Sequence, residues 1–233
     1  MNKKQNGFTL VELTLAMAFV AVLLMAIVVL TMQIVNIYTR GVTLRSVDRS
    51  GQVIVTELQR AINQATSDSE KGFIYAPKND GAKVVAARLC TGKVSYAWNT
   101  IDYFRNTGTS AGVNRYTSGP NEKDIRFIRV SDEGSRLCDW TANIERSKAT
   151  ELLAAGDRTV VIHNFSVAAE PMIDSQKLIT ATFTLGTQDG ADYNTNALTG
   201  TSECKPPADN RTDFCAINVF TFTARAGNLM GEV

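Results

Sequence analysis

The apolar positions of this chain follow three different spacings along its length. From Phe8 to Val35 they run almost without a break, with Glu12 as the one ionisable side chain among them. An apolar stretch of more than about 18 residues is long enough to cross hydrocarbon as a helix. Between Val35 and Ala65 the spacing becomes helical. Val47, Ile54, Leu58 and Ile62 share one face, with Gly51 and Val55 beside it. Arg45, Asp48, Arg49, Gln52, Glu57, Arg60 and Asn63 fill the other faces. The two stretches together predict one helix from about Phe8 to about Ala65, roughly 85–90 Å long. A coiled coil would need about three or four sustained heptads, which this stretch does not keep. Gly41 and Gly51 each cost up to about 1 kcal/mol inside a helix, and the sequence leaves open whether the helix bends near Gly41.

Past Thr66 the apolar residues come in short runs separated by turn residues. Strands are predicted at Lys83–Leu89, Val94–Trp98, Ile125–Val130, Thr159–Ala168, Leu178–Leu185 and Ile217–Ala224. In the last of these, Ile217, Val219, Phe220 and Phe222 read as the alternating apolar set. A short helix is predicted at Ala149–Ala154. Strands in series, without long helices between them, predict a mainly antiparallel sheet, one face of which must be covered. The expected fold class is therefore α+β: one long N-terminal helix packed by its second half on a mainly antiparallel β-sheet head. The chain divides into residues 1–7, a long helix over 8–66 with a transmembrane segment over 8–35, and a β-rich globular head over 67–233.

Composition sharpens this picture. The 233 residues are 44% hydrophobic and 20% charged, with a net charge of +1. Such a balance argues against a wholly disordered chain and against a strongly basic nucleic-acid binder. The four cysteines, Cys90, Cys138, Cys204 and Cys215, all follow the apolar segment. An even number in an exported domain points to disulfides, and four cysteines allow three pairings. Proximity in the chain favours Cys204–Cys215, around Pro206 and Pro207, leaving Cys90–Cys138; both members of the latter pair sit in an Arg-Leu-Cys triplet. A zinc site has little support, because there is no Cys-x-x-Cys and the single histidine is His163.

The N-terminus carries the most informative chemistry. Lys3 and Lys4 precede the apolar run and favour a cytoplasmic N-terminal side. A secretory signal peptide would have an apolar region of about 7–15 residues with its cleavage site after it. Here the run is about twice that length, and the candidate cleavage point, Gly7, lies before it. A plain signal anchor fits the length and the lysines but leaves Glu12 unexplained. An ionisable side chain in a lipid-facing helix is costly and needs a partner. If the chain is cut between Gly7 and Phe8, a new α-amino group appears at Phe8, about one helical turn from Glu12. A carboxylate near a helix N-terminus is also favoured by the macrodipole. In a packed array of such helices, Glu12 of one copy would neutralise the Phe8 amine of the next and set the axial register.

The run Lys3-Lys4-Gln5-Asn6-Gly7-Phe8-Thr9-Leu10-Val11-Glu12 resembles the class III prepilin signal of type IV pilins and type II secretion pseudopilins. The resemblance covers about the first 40 residues and rests on leader charge, Gly-Phe junction and Glu at their proper spacing. It implies that a prepilin peptidase cuts after Gly7 and N-methylates Phe8, and that Glu12 is the assembly glutamate. It implies a chain held in the bacterial inner membrane with its head outside the cytoplasm, then assembled at the cell surface with other pilin or pseudopilin subunits. Major pilins of the IVa type usually have a proline where this chain has Val29, a departure that fits a minor pilin or a pseudopilin. The head is similar in element order to larger minor pilins of the W type and to J-type pseudopilins. The matching pieces are Val94–Tyr96, Leu152 to Phe165, Leu178–Leu185 and Phe214 to Asn228. The expected function is that of a structural minor subunit of a type IV pilus, at the tip or in priming assembly. The alternatives are a type II secretion pseudopilin and, from another class, a membrane-anchored periplasmic enzyme or binding protein.

Other chemistry is sparse. No cofactor and no catalytic residue are expected. Asp189, Asp192, Asn194 and Asn196 place oxygen ligands at close spacing and are a calcium candidate, although the segment lacks the pattern and closing glutamate of an EF-hand. The solvated turn is the preferred reading. His163 stands in an alternating β run and is read as structural. Arg126, Arg129 and Arg136, with Phe127 and Trp140, would make a basic and aromatic surface for nucleic acid. The interleaved Asp124, Asp132 and Glu133 favour a solvated strand face instead.

Overall fold

A computed structural model describes residues 9–65, 72–81, 83–105, 114–117, 125–153, 160–171, 176–188, 193–195, 202–204 and 215–227. Helix α1 runs from Leu10–Asn63 without interruption, 54 residues that extend about 80 Å. It stays helical through Gly41. Strands follow at β1 (Ile74–Asp80), β2 (Lys83–Cys90) and β3 (Val94–Asn99), then a short helix α2 (Ile101–Arg105), then β4 (Phe127–Ser131) and β5 (Ala149–Leu153). The chain continues with β6 (Val160–Pro171), β7 (Lys177–Thr187), β8 (Tyr193–Thr195), β9 (Ser202–Cys204) and β10 (Ile217–Ala226). All paired strands are antiparallel. The first five form a meander in chain order, and β10-β7-β6 form a three-stranded sheet, with β8 and β9 as a separate pair. An isolated parallel bridge between Thr100 and Ile162 joins the two larger sheets. The architecture is α+β, as the pattern of the sequence implies.

The helix docks along β10. Asn218 donates to Asp48 at 2.6 Å, Gln59 donates to the Thr223 carbonyl at 3.4 Å, the Arg225 amide donates to Asn63 at 3.1 Å, and the Gly227 amide donates to the Ala65 carbonyl at 3.1 Å. Both numbers rise together, so strand and helix run parallel. The lengths match: about 26 Å of helix from Asp48 to Ala65, and about 30 Å of strand from Asn218 to Gly227. Near the Asp48 end, Phe220 lies over Gly51, where a Cβ would fall only 2.1 Å from the Phe220 Cζ. The glycine that weakens the helix locally is what lets the strand approach it.

One core fills the space between helix and sheets. Val47, Ile54, Leu58 and Ile62 meet Leu89, Tyr96, Trp98 and Phe127 of the larger sheet and Phe165, Phe183 and Phe222 of the smaller. The rings make a continuous row: Trp98 to Phe127 at 5.3 Å, Trp98 to Phe165 at 4.6 Å, Phe165 to Phe183 at 5.7 Å and Phe183 to Phe220 at 5.2 Å. A second apolar cluster covers the other face of the larger sheet, built from Cys90, Ala97, Ile128, Val130, Leu137, Cys138 and Ile144. With both faces covered, β2 and β3 are buried almost continuously. That explains the weak alternation of Lys83–Leu89.

Two expectations need correction, and one strand was not expected. Ala149–Ala154 does not start a helix: Ala149–Leu153 is the edge strand β5, paired with β4. Its Ala, Glu and Leu residues favour a helix locally, but pairing with β4 decides the outcome. In β10 the inward residues are Phe220, Phe222, Ala224 and Ala226, while Val219 is 42% exposed. The covering helix selects the even-numbered face. Finally, β1 lacks a strong strand pattern because it holds Pro77, which an edge strand tolerates.

Candidate functional site

The most distinctive surface of the molecule is the free half of α1. Thr43 is the first buried residue of the helix. Before it, about 33 residues, some 50 Å of helix, project clear of the head. Their side chains are apolar and exposed, for example Leu15 at 70%, Phe19 at 72% and Met25 at 72%. By length and composition this helix can cross a membrane. Its threonine hydroxyls are satisfied within the helix. Thr14 donates to the Val11 carbonyl at 3.0 Å, and Thr31 and Thr39 donate to the Ile27 and Val35 carbonyls at 2.8 Å. In an apolar surrounding that leaves little polar surface unpaired.

Glu12 sits in the first turn of this projecting helix. It forms a capping box with Thr9: the Thr9 amide donates to the Glu12 carboxylate at 3.0 Å and the Thr9 hydroxyl at 2.9 Å, while the Glu12 amide donates to the Thr9 hydroxyl at 3.3 Å. A reciprocal pair of this kind satisfies donors that a helix N-terminus otherwise leaves open. Within a single chain, therefore, the carboxylate has a local partner in Thr9, which the sequence pattern did not single out. Gly7 and Phe8 lie outside the described residues.

The head carries the expected Cys90–Cys138 disulfide, with Cα atoms 6.2 Å apart and a sequence separation of 48. It ties the covering loop of the second core to the end of β2. Cys215 is disulfide-bonded as well, and its expected partner, Cys204, lies in β9, whose side chains are outside the described ones. Among the described residues no cysteine is free.

Beside the first disulfide is a buried polar network that sequence reasoning missed. Arg88 lies two residues before Cys90, on the same face of β2. Its guanidinium donates to Asn114 Oδ1 at 2.8 Å and to the Leu137 carbonyl at 2.6 Å, and stacks over the Trp140 ring at 4.4 Å. Burial lowers its pKa to about 10, with Asp132 opposing the shift. Asn114, wholly buried, also donates to the Trp98 carbonyl at 2.8 Å and exchanges hydrogen bonds with Asn99. Asp132 accepts from Ser95 at 2.6 Å and from the Leu137 amide at 2.9 Å, which shapes the turn before Cys138. The network anchors an irregular segment to a sheet face by polar contacts. Its one signal in the sequence is the Arg-Leu-Cys triplet. Arg136, in the other triplet, is exposed and uses only its backbone amide toward Asp132.

The remaining candidates are dispersed. Arg129 pairs with Glu57 at 3.1 Å and thereby links β4 to the helix; Tyr96 donates to the same carboxylate at 3.3 Å. Arg126 lies over the Phe104 ring at 5.2 Å, and Phe127 is fully buried. Arg126, Arg129 and Arg136 are thus not gathered with Phe127 and Trp140 on one surface. His163 occupies the irregularity of β6 between Ile162 and Asn164, buried with its Nε2 2.7 Å from where a Gly186 Cβ would stand. Asp189, Asp192 and Asn196 lie outside the described residues, as does the side chain of Asn194. Among the described residues no cluster of His, Cys, Asp and Glu is arranged to hold a metal ion.

Compared with known proteins, the chain matches no family model, no curated protein and no solved structure.

Proposed function

We propose that this chain is a structural minor subunit of a type IV pilus. It is made as a prepilin and held in the bacterial inner membrane by residues 8–35, with its head outside the cytoplasm. Prepilin peptidase cuts after Gly7 and methylates the Phe8 amine, and the subunit assembles with other pilins through its N-terminal helix. Its work is mechanical rather than catalytic.

The observation that carries this reading is a combination. A glutamate stands in the first turn of an apolar helix, four residues after a Gly-Phe junction, and that helix projects free of a disulfide-bearing head. A helix exposing this much apolar surface needs lipid or other helices around it. The unbroken helix through Val29 equally supports a type II secretion pseudopilin. Deleting the gene separates the two readings, by loss of surface pili in one case and loss of secretion in the other.

The test is mass spectrometry of the mature N-terminus, on sheared surface fibres and on membranes. A chain that starts at N-methylated Phe8 in the fibre fraction is the expected result. A chain that keeps residues 1–7 in cells with an active prepilin peptidase, or that is confined to membranes, would overturn the proposal in favour of an anchored periplasmic protein.

A further inference from the structure

A recess of about 490 Å³ opens on the head next to Cys138, between the end of β4 and the segment 142–148. Its size falls within the range of about 300–1,000 Å³ usual for small-ligand sites. Its apolar wall is Val130, Leu137 and Ala142. Buried Arg88 holds that wall from behind. Its guanidinium donates to the Leu137 carbonyl at 2.6 Å and to the Ala142 carbonyl at 3.3 Å, so one cation fixes both sides. Asp132 accepts from the Arg136 and Leu137 amides at 3.2 and 2.9 Å and fixes the turn between them. Ser135 and Trp140 flank that turn with φ of 56° and 60°, a left-handed conformation that non-glycine residues rarely adopt. Such a conformation persists only where its surroundings enforce it. The mouth is different. The side chains of Ser131, Glu133, Arg136 and Asn143 are exposed and make no hydrogen bond or ion pair among the described residues. An acceptor, a fork of donors, and two groups that both donate and accept thus stand unengaged around a fixed wall.

We propose that this recess binds a neutral sugar unit of a glycan. The lining carries Asp132, Glu133 and Glu145 against Arg136 and Lys148, a net charge of −1, and Glu145 pairs with Lys148 at 2.9 Å. That balance supplies no field to draw in a phosphate, another strong anion or a cation. It suits a ligand whose own groups each donate and accept, as sugar hydroxyls do. The C–H face of a sugar ring matches the apolar wall of Val130, Leu137 and Ala142, and the mouth supplies the few polar groups that orient it. A wall fixed in advance by Arg88 and Asp132 lowers the ordering cost of binding. The site lies on the head alone and does not rest on the assembly reading.

The experiment uses the full chain in nanodiscs of phosphatidylcholine, which carry no sugar of their own. The probe is an array of immobilised neutral glycans built from hexoses, deoxyhexoses and N-acetylhexosamines, with sialylated and sulfated glycans beside them. A glycan that binds is then titrated as the free sugar by saturation-transfer NMR. At least one neutral glycan is expected to bind, with an affinity that stays the same from low to high salt. Combining Arg136→Ala with Asn143→Ala should weaken that binding about tenfold. Because both side chains are exposed, the thermal melt should not move. If it does, Asn143→Ala alone should still weaken binding. Binding to no neutral glycan would overturn the proposal, and so would sugar binding that survives these substitutions. A preference for sialylated or sulfated glycans, or tighter binding of the zwitterion diglycine, would overturn the neutral-sugar assignment. Retention of residues 1–7 would overturn the pilus reading and leave sugar binding standing, and the reverse also holds.

Discussion

Gly51 is where the helix gives up intrinsic stability so that the head can dock. Built onto its backbone, a Cβ would lie 2.1, 2.3 and 2.6 Å from three atoms of the Phe220 ring. Ordinary carbon contacts fall near 3.5–4.0 Å, so the ring would have to withdraw by more than about 1 Å. It has no easy retreat, because it stacks at 5.2 Å on Phe183, which is itself fully buried. Overpacking of this kind costs about 1–3 kcal/mol. Against it, replacing Gly by Ala inside a helix gains about 1 kcal/mol. Gly51→Ala should therefore destabilise the full chain by about 1 kcal/mol. Phe220→Ala removes the obstacle, and in that background Gly51→Ala should stabilise by about 1 kcal/mol. The sign change, a coupling of about 2 kcal/mol, is the signature of direct contact. Urea unfolding in a non-ionic detergent, followed by the fluorescence of buried Trp98, measures all four corners of the cycle. Equal stabilisation by Gly51→Ala in both backgrounds would refute the argument, because it would mean that only helix propensity is at work there.

Three further outcomes are expected. Glu12→Ala should leave membrane insertion intact while reducing incorporation into sheared fibres, measured by immunoblot of the two fractions; normal incorporation would remove the assembly role proposed for that carboxylate. Replacing Cys90 and Cys138 by serine opens a loop of 48 residues. On the chain-entropy model this lowers stability by about 4 kcal/mol, and urea midpoints report it. Tyr75 donates to the Phe165 carbonyl at 3.0 Å, and burial raises its pKa to about 12. The folded state thus keeps a proton that the unfolded state begins to lose near pH 10. Its contribution is full below that pH and lost progressively between about 10 and 12, on the order of 2 kcal/mol. Tyr75→Phe should flatten the fall in stability over that window, and an unchanged alkaline slope would contradict the assignment.

The local patterns that survive into the fold are those set by one long-range constraint or by none. The apolar run and the 3.6-residue period of Val47, Ile54, Leu58 and Ile62 specify α1, because a helix satisfies its own backbone wherever it lies. The β-rich runs at Val94–Trp98 and Leu178–Leu185 fall within strands, as does the described part, Val160–Ala168, of the run that starts at Thr159. Glu12 is conspicuous in the sequence alone, because a charge has no ordinary place in an apolar helix. Residue spacing could not disclose choices made by a neighbour. Whether Ala149–Leu153 pairs as a strand depends on β4, and which face of β10 turns inward depends on where Gly51 lets Phe220 rest. Arg88, Asn114 and Trp140 come from distant positions and meet only because the loop before Cys138 folds over the sheet. The sequence by itself determined the helix, the projecting apolar segment and the α+β class, all encoded by period and composition within short windows. Tertiary structure alone decided the sheet order and the buried arginine network, because both depend on which residues, far apart in the chain, compete for the same partner.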